Sequence, residues 1–256
     1  MSIKLTKGGY IKDTLDPRDY IFSIPKVSTP TPIKPTKQPS IFTLVMPPVL
    51  DQGNLGSCVA NAVCNALGYI DMKAGKSMKL KSRLFNYYNT RVIENTVSQD
   101  SGCQIRDAIK SDNQNGDCFE ISWPYNISRF IIKPTSSCYT EASKNKLTVY
   151  QRVNQDRLSI KACLTLGYPI IIGFTCFNTI YNRSVEINGD IPMPTRRDYV
   201  IGGHCVLIIG YNDTTQTYTI QNSWGTGWGR KGFGTLPYNY VENINYATDF
   251  WMVTKD

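Results

Sequence analysis

Histidine is nearly absent from this 256-residue chain: there is one, His204. The eight cysteines include no C-x-x-C pair, and with a single imidazole available the usual tetrahedral zinc sets cannot be assembled. No metal and no cofactor is therefore expected. The longest apolar stretch, Ile170 to Phe177, is far shorter than the roughly 20 residues a spanning helix needs, so no membrane partner is expected. Behind Lys4 there is no apolar run of about 7–15 residues of the kind that marks a secretory signal. An intracellular, cytoplasmic or virion-packaged protein is expected, with most of its cysteines as buried thiols rather than a bridged framework.

A clustered basic face is lacking as well. Lys plus Arg total 28 and Asp plus Glu 20, a net +8. Residues 1–40 alone hold seven basic and three acidic side chains, or +4, which leaves +4 for all the rest. Nucleic-acid surfaces concentrate basic residues on one element with aromatics among them; no such element is visible, and no nucleic-acid partner is expected.

What is present is an ordinary globular composition, 41% apolar and 11% aromatic, with length for one large domain or two lobes sharing an interface. Half of the 14 prolines fall between Pro25 and Pro48, and PKVSTPTPIKPTKQPS reads as an extended linker. Residues 1–40 thus form an N-terminal segment with a tether, and the packed part begins near Ile41. Val59, Ala62, Val63, Ala66, Leu67 and Ile70 recur at helical spacing between Ser57, a candidate N-cap, and Gly75, a stop. Further helices are expected over Lys79 to Thr90 and Ile105 to Asp112. After about Thr148 the texture changes to YPIIIGF, HCVLIIGY and TYTIQ, separated by turn signals, which predicts strands and a hairpin. The fold class is α+β: a helical lobe over about 50–145 followed by a mainly antiparallel β lobe over about 146–256.

General-base work near neutral pH usually needs an imidazole, and only His204 can supply one. It opens a predicted strand, and 18 residues later, after one hairpin, comes Asn222; adjacent antiparallel strands can bring the two together. Cys58 sits at the first turn of the long helix, where unpaired N–H groups and the helix dipole favour a thiolate. Gln52 lies six residues before it.

Taken together, DQGNLGSCVANA, GGHCVLIIGY and QNSWGTGWG resemble the three signature blocks of papain-like cysteine peptidases, in the family's order Gln, Cys, His, Asn. PPVLDQGNLGSC and WPY further resemble a branch found in microbes and viruses that has a short N-terminal segment. The resemblance implies a papain-like two-lobe fold, with a helical lobe and a β-barrel-like lobe flanking an active-site cleft. It also implies catalytic roles. Cys58 would be the nucleophile, His204 its base, Asn222 the group that orients the imidazole, and Gln52 a donor of the oxyanion hole. Gly102, Cys103, Gly203, Trp224 and Trp228 would border the substrate, with Trp224 covering the Asn–His bond. The chain reads L-G-S-C-V where the family signature has C-G-[SA]-C-[WY], so Leu55 removes the usual disulfide beside the nucleophile. Cys118 and Cys138 bracket WPYN and are candidates for a bridge of their own.

The activity implied is that of a monomeric cysteine endopeptidase acting on protein or peptide substrates through an acyl-thioester. Two alternatives compete: a catalytically silent papain-fold structural or binding protein, and another Cys-His acyl transferase. The first would ordinarily lack Cys58 or His204, and the second would carry an acid where Asn222 stands. Residues 8–24 are too short to fold alone but long enough to dock across or beside the cleft, a zymogen-like intramolecular ligand that restricts access to Cys58.

Overall fold

The computed structural model describes residues 8–24 and 38–255; the expected Pro-rich tether lies, over residues 25–37, outside them. In chain order the elements are β1 (Tyr10–Ile11), β2 (Ile41–Thr43), α1 (Cys58–Lys73), α2 (Arg83–Ile93), β3 (Cys103–Gln104), α3 (Ile105–Asn115), α4 (Ser136–Ala142), β4 (Val149–Arg152), α5 (Arg157–Thr165), β5 (Ile170–Phe177), α6 (Arg183–Asn188), β6 (Val200–Asn212), β7 (Thr217–Gln221), β8 (Phe233–Pro237), α7 (Tyr238–Val241) and β9 (Ala247–Thr254).

Helix α1 is buried on every side from Cys58 to Asp71, the mark of a helix enclosed by other elements rather than lying on a surface. It packs against α2 and α3 on one side and against β6 and β9 on the other, so it is the wall between the lobes. Ser57 precedes it but does not cap it with its side chain; the hydroxyl lies 2.5 Å from that of Tyr125 instead. Helix α2 starts at Arg83, later than expected. Ser82 caps it by accepting the Phe85 N–H, while Lys81 is held in a bridge to Phe119 and an ion pair with Asp71.

The β lobe is a seven-stranded sheet in the order β4-β9-β5-β6-β7-β8, with β2 also pairing to β6. The pairings among these strands are antiparallel. The expected barrel-like closure is absent: β4 and β8 end the path unpaired to each other among the described residues. Strand β6 is its spine, and the β6–β7 hairpin turns where NDTTQ predicts. Strand β5 is buried along most of its length, as a strand covered on both faces must be.

The N-terminal segment joins both lobes. Strand β1 pairs in parallel with β3 of the helical lobe. Further on, Phe22 N–H donates to Arg152 O and Arg152 N–H to Tyr20 O, each at 2.7 Å, so the segment extends the edge of β4.

Candidate active site

Cys58, the first residue of α1, is fully buried. Burial pushes its thiol up to about 11, against the pull of backbone N–H groups on Cys205, Gly9 and Val59. The donors come from three places: the strand after the histidine, the N-terminal segment and the start of the helix. A thiol at a helix N-terminus is therefore not enough for a thiolate here, because desolvation outweighs the dipole.

His204 stands on β6 immediately before Cys205 and is 1% exposed. Its Nε2 is 2.8 Å from Asn222 Oδ1, and the same oxygen accepts the Ser223 N–H at 2.8 Å. The backbone donor fixes which end of the amide is oxygen, so Nε2 must be the donor and carry the hydrogen. That leaves Nδ1 as the basic atom, with no hydrogen-bond partner among the described residues. The register explains the reach: Gln221 pairs with Leu207, so Asn222, just past the end of β7, turns back toward His204. The Trp224 ring lies over the imidazole at 4.6 Å and 30°, and Phe174 meets it edge-on at 5.7 Å. Burial draws the imidazole down to about 4, partly offset by Asn222. Burial thus opposes the charged form of both Cys58 and His204.

Gln52 is fully buried and held through both its backbone and its side chain. Its N–H donates to Ser223 O at 2.9 Å, its Oε1 accepts the Ser223 hydroxyl at 2.7 Å, and its Nε2 donates to Leu55 O at 2.9 Å. Tyr125, from WPY, donates its hydroxyl to Gln52 O at 2.9 Å. Ser223 and Tyr125 went unassigned in the sequence although both lie within quoted motifs. The signal was their adjacency to Asn222 and to the tryptophan of WPY.

Of the residues expected to border substrate, Gly102, Cys103 and Gly203 meet Gly9 and Tyr10. Cys103 N–H donates to Gly9 O at 2.8 Å. A Cβ at Gly102 would stand 2.3 Å from Gly9 O, and one at Gly203 would stand 2.7 Å from Tyr10 O. The Tyr10 ring lies flat on Gly173 of β5, where a Cβ would come within 1.9 Å of it. Its hydroxyl donates to Asp249 Oδ2 at 2.5 Å and accepts from Thr248 at 2.6 Å. Three residues on, the Asp13 N–H donates to Asp249 Oδ2 at 2.7 Å, and its carboxylate accepts from Trp251 Nε1 at 2.8 Å and from Arg152 at 3.1 Å. Trp228 is 2% exposed and stands edge-on behind Trp224 at 5.5 Å, so it backs that ring rather than facing the cleft.

The remaining cysteines are buried free thiols. Cys118 and Cys138, the candidates for a bridge, are both free thiols.

A family model described as papain family cysteine protease matches residues 41–253. The chain belongs to that family. An uncharacterised peptidase C1-like protein of Acanthamoeba polyphaga mimivirus is 38% identical over 268 residues, covering 96% of this chain and 86% of the viral protein. Xylellain, a cysteine protease from Xylella fastidiosa, superposes with a TM-score of 0.89 at 37% identity, each chain covered in full. Chicken (Gallus gallus) cathepsin K is 28% identical over 213 residues, 78% of this chain and 58% of its own length. This papain-family chain is accordingly a peptide hydrolase of the thiol protease type, with relatives in a virus and a bacterium, and its α+β two-lobe architecture is the family's.

Proposed function

We propose that this papain-family protease cuts peptide bonds through Cys58, His204, Asn222 and Gln52, and that residues 8–24 hold it in a restrained state. The carrying observation is the His204–Asn222 bond, which fixes the tautomer and leaves Nδ1 as the one basic atom of the only histidine. His204 Nδ1 takes the Cys58 proton and the thiolate attacks the scissile carbonyl. The oxyanion that forms is met by a Gln52 amide N–H and the Cys58 backbone N–H. As the tetrahedral species collapses, the imidazolium gives its proton to the leaving amine, and an acyl-thioester remains on Cys58. Water, deprotonated by His204, then attacks the thioester carbonyl; the acid leaves and the thiol is restored. Asn222 acts through the imidazole, which it keeps oriented.

The restraint has a steric and an electrostatic part. Gly9 and Tyr10 lie where Gly102, Cys103 and Gly203 would meet a substrate backbone, so substrate and segment compete. The same contacts keep water from Cys58 and His204, and desolvation disfavours the ion pair that attack requires. Release of the segment readmits water and restores the pair.

Cys58→Ala and His204→Ala test the assignment against a fluorogenic peptide, using a chain that starts at Ile41. Each should abolish turnover to a similar extent, because groups that act as a unit are not additive. A His204→Ala enzyme of near-normal activity would overturn it.

A further inference from the structure

Charge that looks dilute along the chain is concentrated in space at the far end of α1. A cavity of about 370 Å³ there is lined by Lys76, Lys79, Lys81, Lys144, Lys146 and Lys255, with Asp71 the sole acid among the lining residues. The lysines come from the stretch after α1, from the loop after α4 and from just past the end of β9. Asp71 is shared by two of them, Lys81 at 2.9 Å and Lys255 at 3.1 Å. Among the described residues no carboxylate pairs with Lys76, Lys79, Lys144 or Lys146, all of which are exposed. Among the lining residues six ammonium groups stand against one carboxylate, an excess of positive charge that the buried Asp112 and Asp117 near Lys81 offset in part. Burial and then repulsion from Lys81 draw the Lys255 ammonium below its ordinary value, the expected strain of like charges held together.

We propose that this pocket binds a small soluble anion carrying two or more phosphate groups. A concave wall of one sign focuses the field into the cavity, and a ligand there needs several negative charges to match the excess. Ammonium groups act as point charges suited to phosphate oxygens, whereas carboxylate recognition favours the arginine fork, and no arginine lines the pocket. The volume falls in the range of small-molecule sites. An extended nucleic-acid strand fits poorly. Its bases need open aromatic faces, and the one aromatic here, Phe119, already carries the ammonium groups of Lys81 at 4.5 Å and Lys79 at 5.1 Å. Asp71 lies about 20 Å along α1 from Cys58 at 1.5 Å per residue, so the pocket is separate from the catalytic cleft. Its occupant would clamp the end of β9 to α1 and so stabilise the fold by linkage.

Isothermal titration of the full-length chain with inorganic triphosphate, at about 0.15 M ionic strength, tests the proposal. The expected result is saturable binding of one triphosphate per chain. Affinity should fall at least about tenfold in Lys76→Gln/Lys144→Gln/Lys146→Gln, as removal of three phosphate contacts requires. It should hold in Lys133→Gln/Arg196→Gln/Lys231→Gln, which removes the same charge elsewhere, and peptidase activity should be unchanged in the first variant. Equal losses in both variants, no saturation, or a preference for an oligonucleotide or an oligoglutamate over triphosphate would overturn it.

Discussion

Tyr10 is the residue through which the proposed restraint on Cys58 can be weighed. Its ring rests on Gly173 and its hydroxyl is held by Asp249 and Thr248, so Tyr10→Ala removes both an apolar and a polar contact from the docked state. Truncating a fully buried large aromatic costs about 3–5 kcal/mol; Tyr10 is half-buried, which reduces this to roughly 2 kcal/mol. A hydrogen bond to a charged group adds about 1.5–3 kcal/mol, and part of that is retained because Asp249 keeps the Asp13 N–H and Arg152. The sum, about 3–4 kcal/mol, raises the released fraction roughly 100- to 1,000-fold. Tyr10→Phe keeps the ring and should raise it roughly 10-fold, by the lower figure for the hydroxyl alone. Gly173→Ala approaches from the other side: the added Cβ would collide with the ring while leaving the segment's own sequence intact.

The assay is the second-order rate of Cys58 alkylation by an epoxide that captures papain-type thiols, with mass mapping of the labelled residue. The chain that starts at Ile41 sets the ceiling. The expected order is full-length slowest, then Tyr10→Phe, then Tyr10→Ala approaching the ceiling. If the Ile41 chain is no faster than full-length, no restraint exists. If it is faster but Tyr10→Ala is unchanged, the segment is held elsewhere and the argument from the Gly173 pocket fails.

Three further outcomes follow from the same geometry. Gln52→Ala should lower turnover of the Ile41 chain by about two to three orders of magnitude, the usual loss for one oxyanion donor; a loss in KM alone would remove Gln52 from that role. With only one histidine in the chain, the imidazole proton resonance reports His204 directly by NMR. In the full-length protein it should titrate at about 4 rather than near 6.5. Protonation favours the solvated imidazole over the buried one, so docking should weaken as pH falls toward 4; titration at or above 6.5 would refute the desolvation argument. Trp228→Ala should destabilise the fold by about 3–5 kcal/mol, as loss of a buried large aromatic does, measured by urea unfolding. A negligible loss would mean that its packing against Trp224 and Gly234 is not structural.

The proposed catalytic set could be named because its members lie in contiguous blocks whose local structure is fixed by short-range rules. Cys58 opens a helix whose apolar spacing runs all round, and His204 and Asn222 flank a hairpin whose turn is written as NDTTQ. The surroundings were not legible, because they are assembled across the chain. The Tyr10 pocket takes Gly173 from β5, Gly203 from β6 and Asp249 from β9, and no window of sequence contains more than one of them. Ser57 illustrates the competition that defeats local rules: an N-cap by position, it gives its hydroxyl to Tyr125, 68 residues away.

The same limit explains the opposite fate of two predictions about charge. The N-terminal segment was read as basic, yet the residues of it that dock do so largely through acids: Asp13 and Asp19 meet Arg152, and Asp16 and Asp19 meet Arg106. These arginines sit on different lobes, at the start of α3 and the end of β4, so a handful of carboxylates ties both walls of the cleft to one strand of chain. The lysines that the linear count spreads thinly meet instead at the far end of α1. Counting charge along a chain measures neither arrangement, since Coulomb interaction depends on separation in space and on the water excluded between the groups. A folded chain can therefore hold a set of acidic contacts along its N-terminal segment and a lysine-lined pocket beyond α1, with neither evident in its net charge.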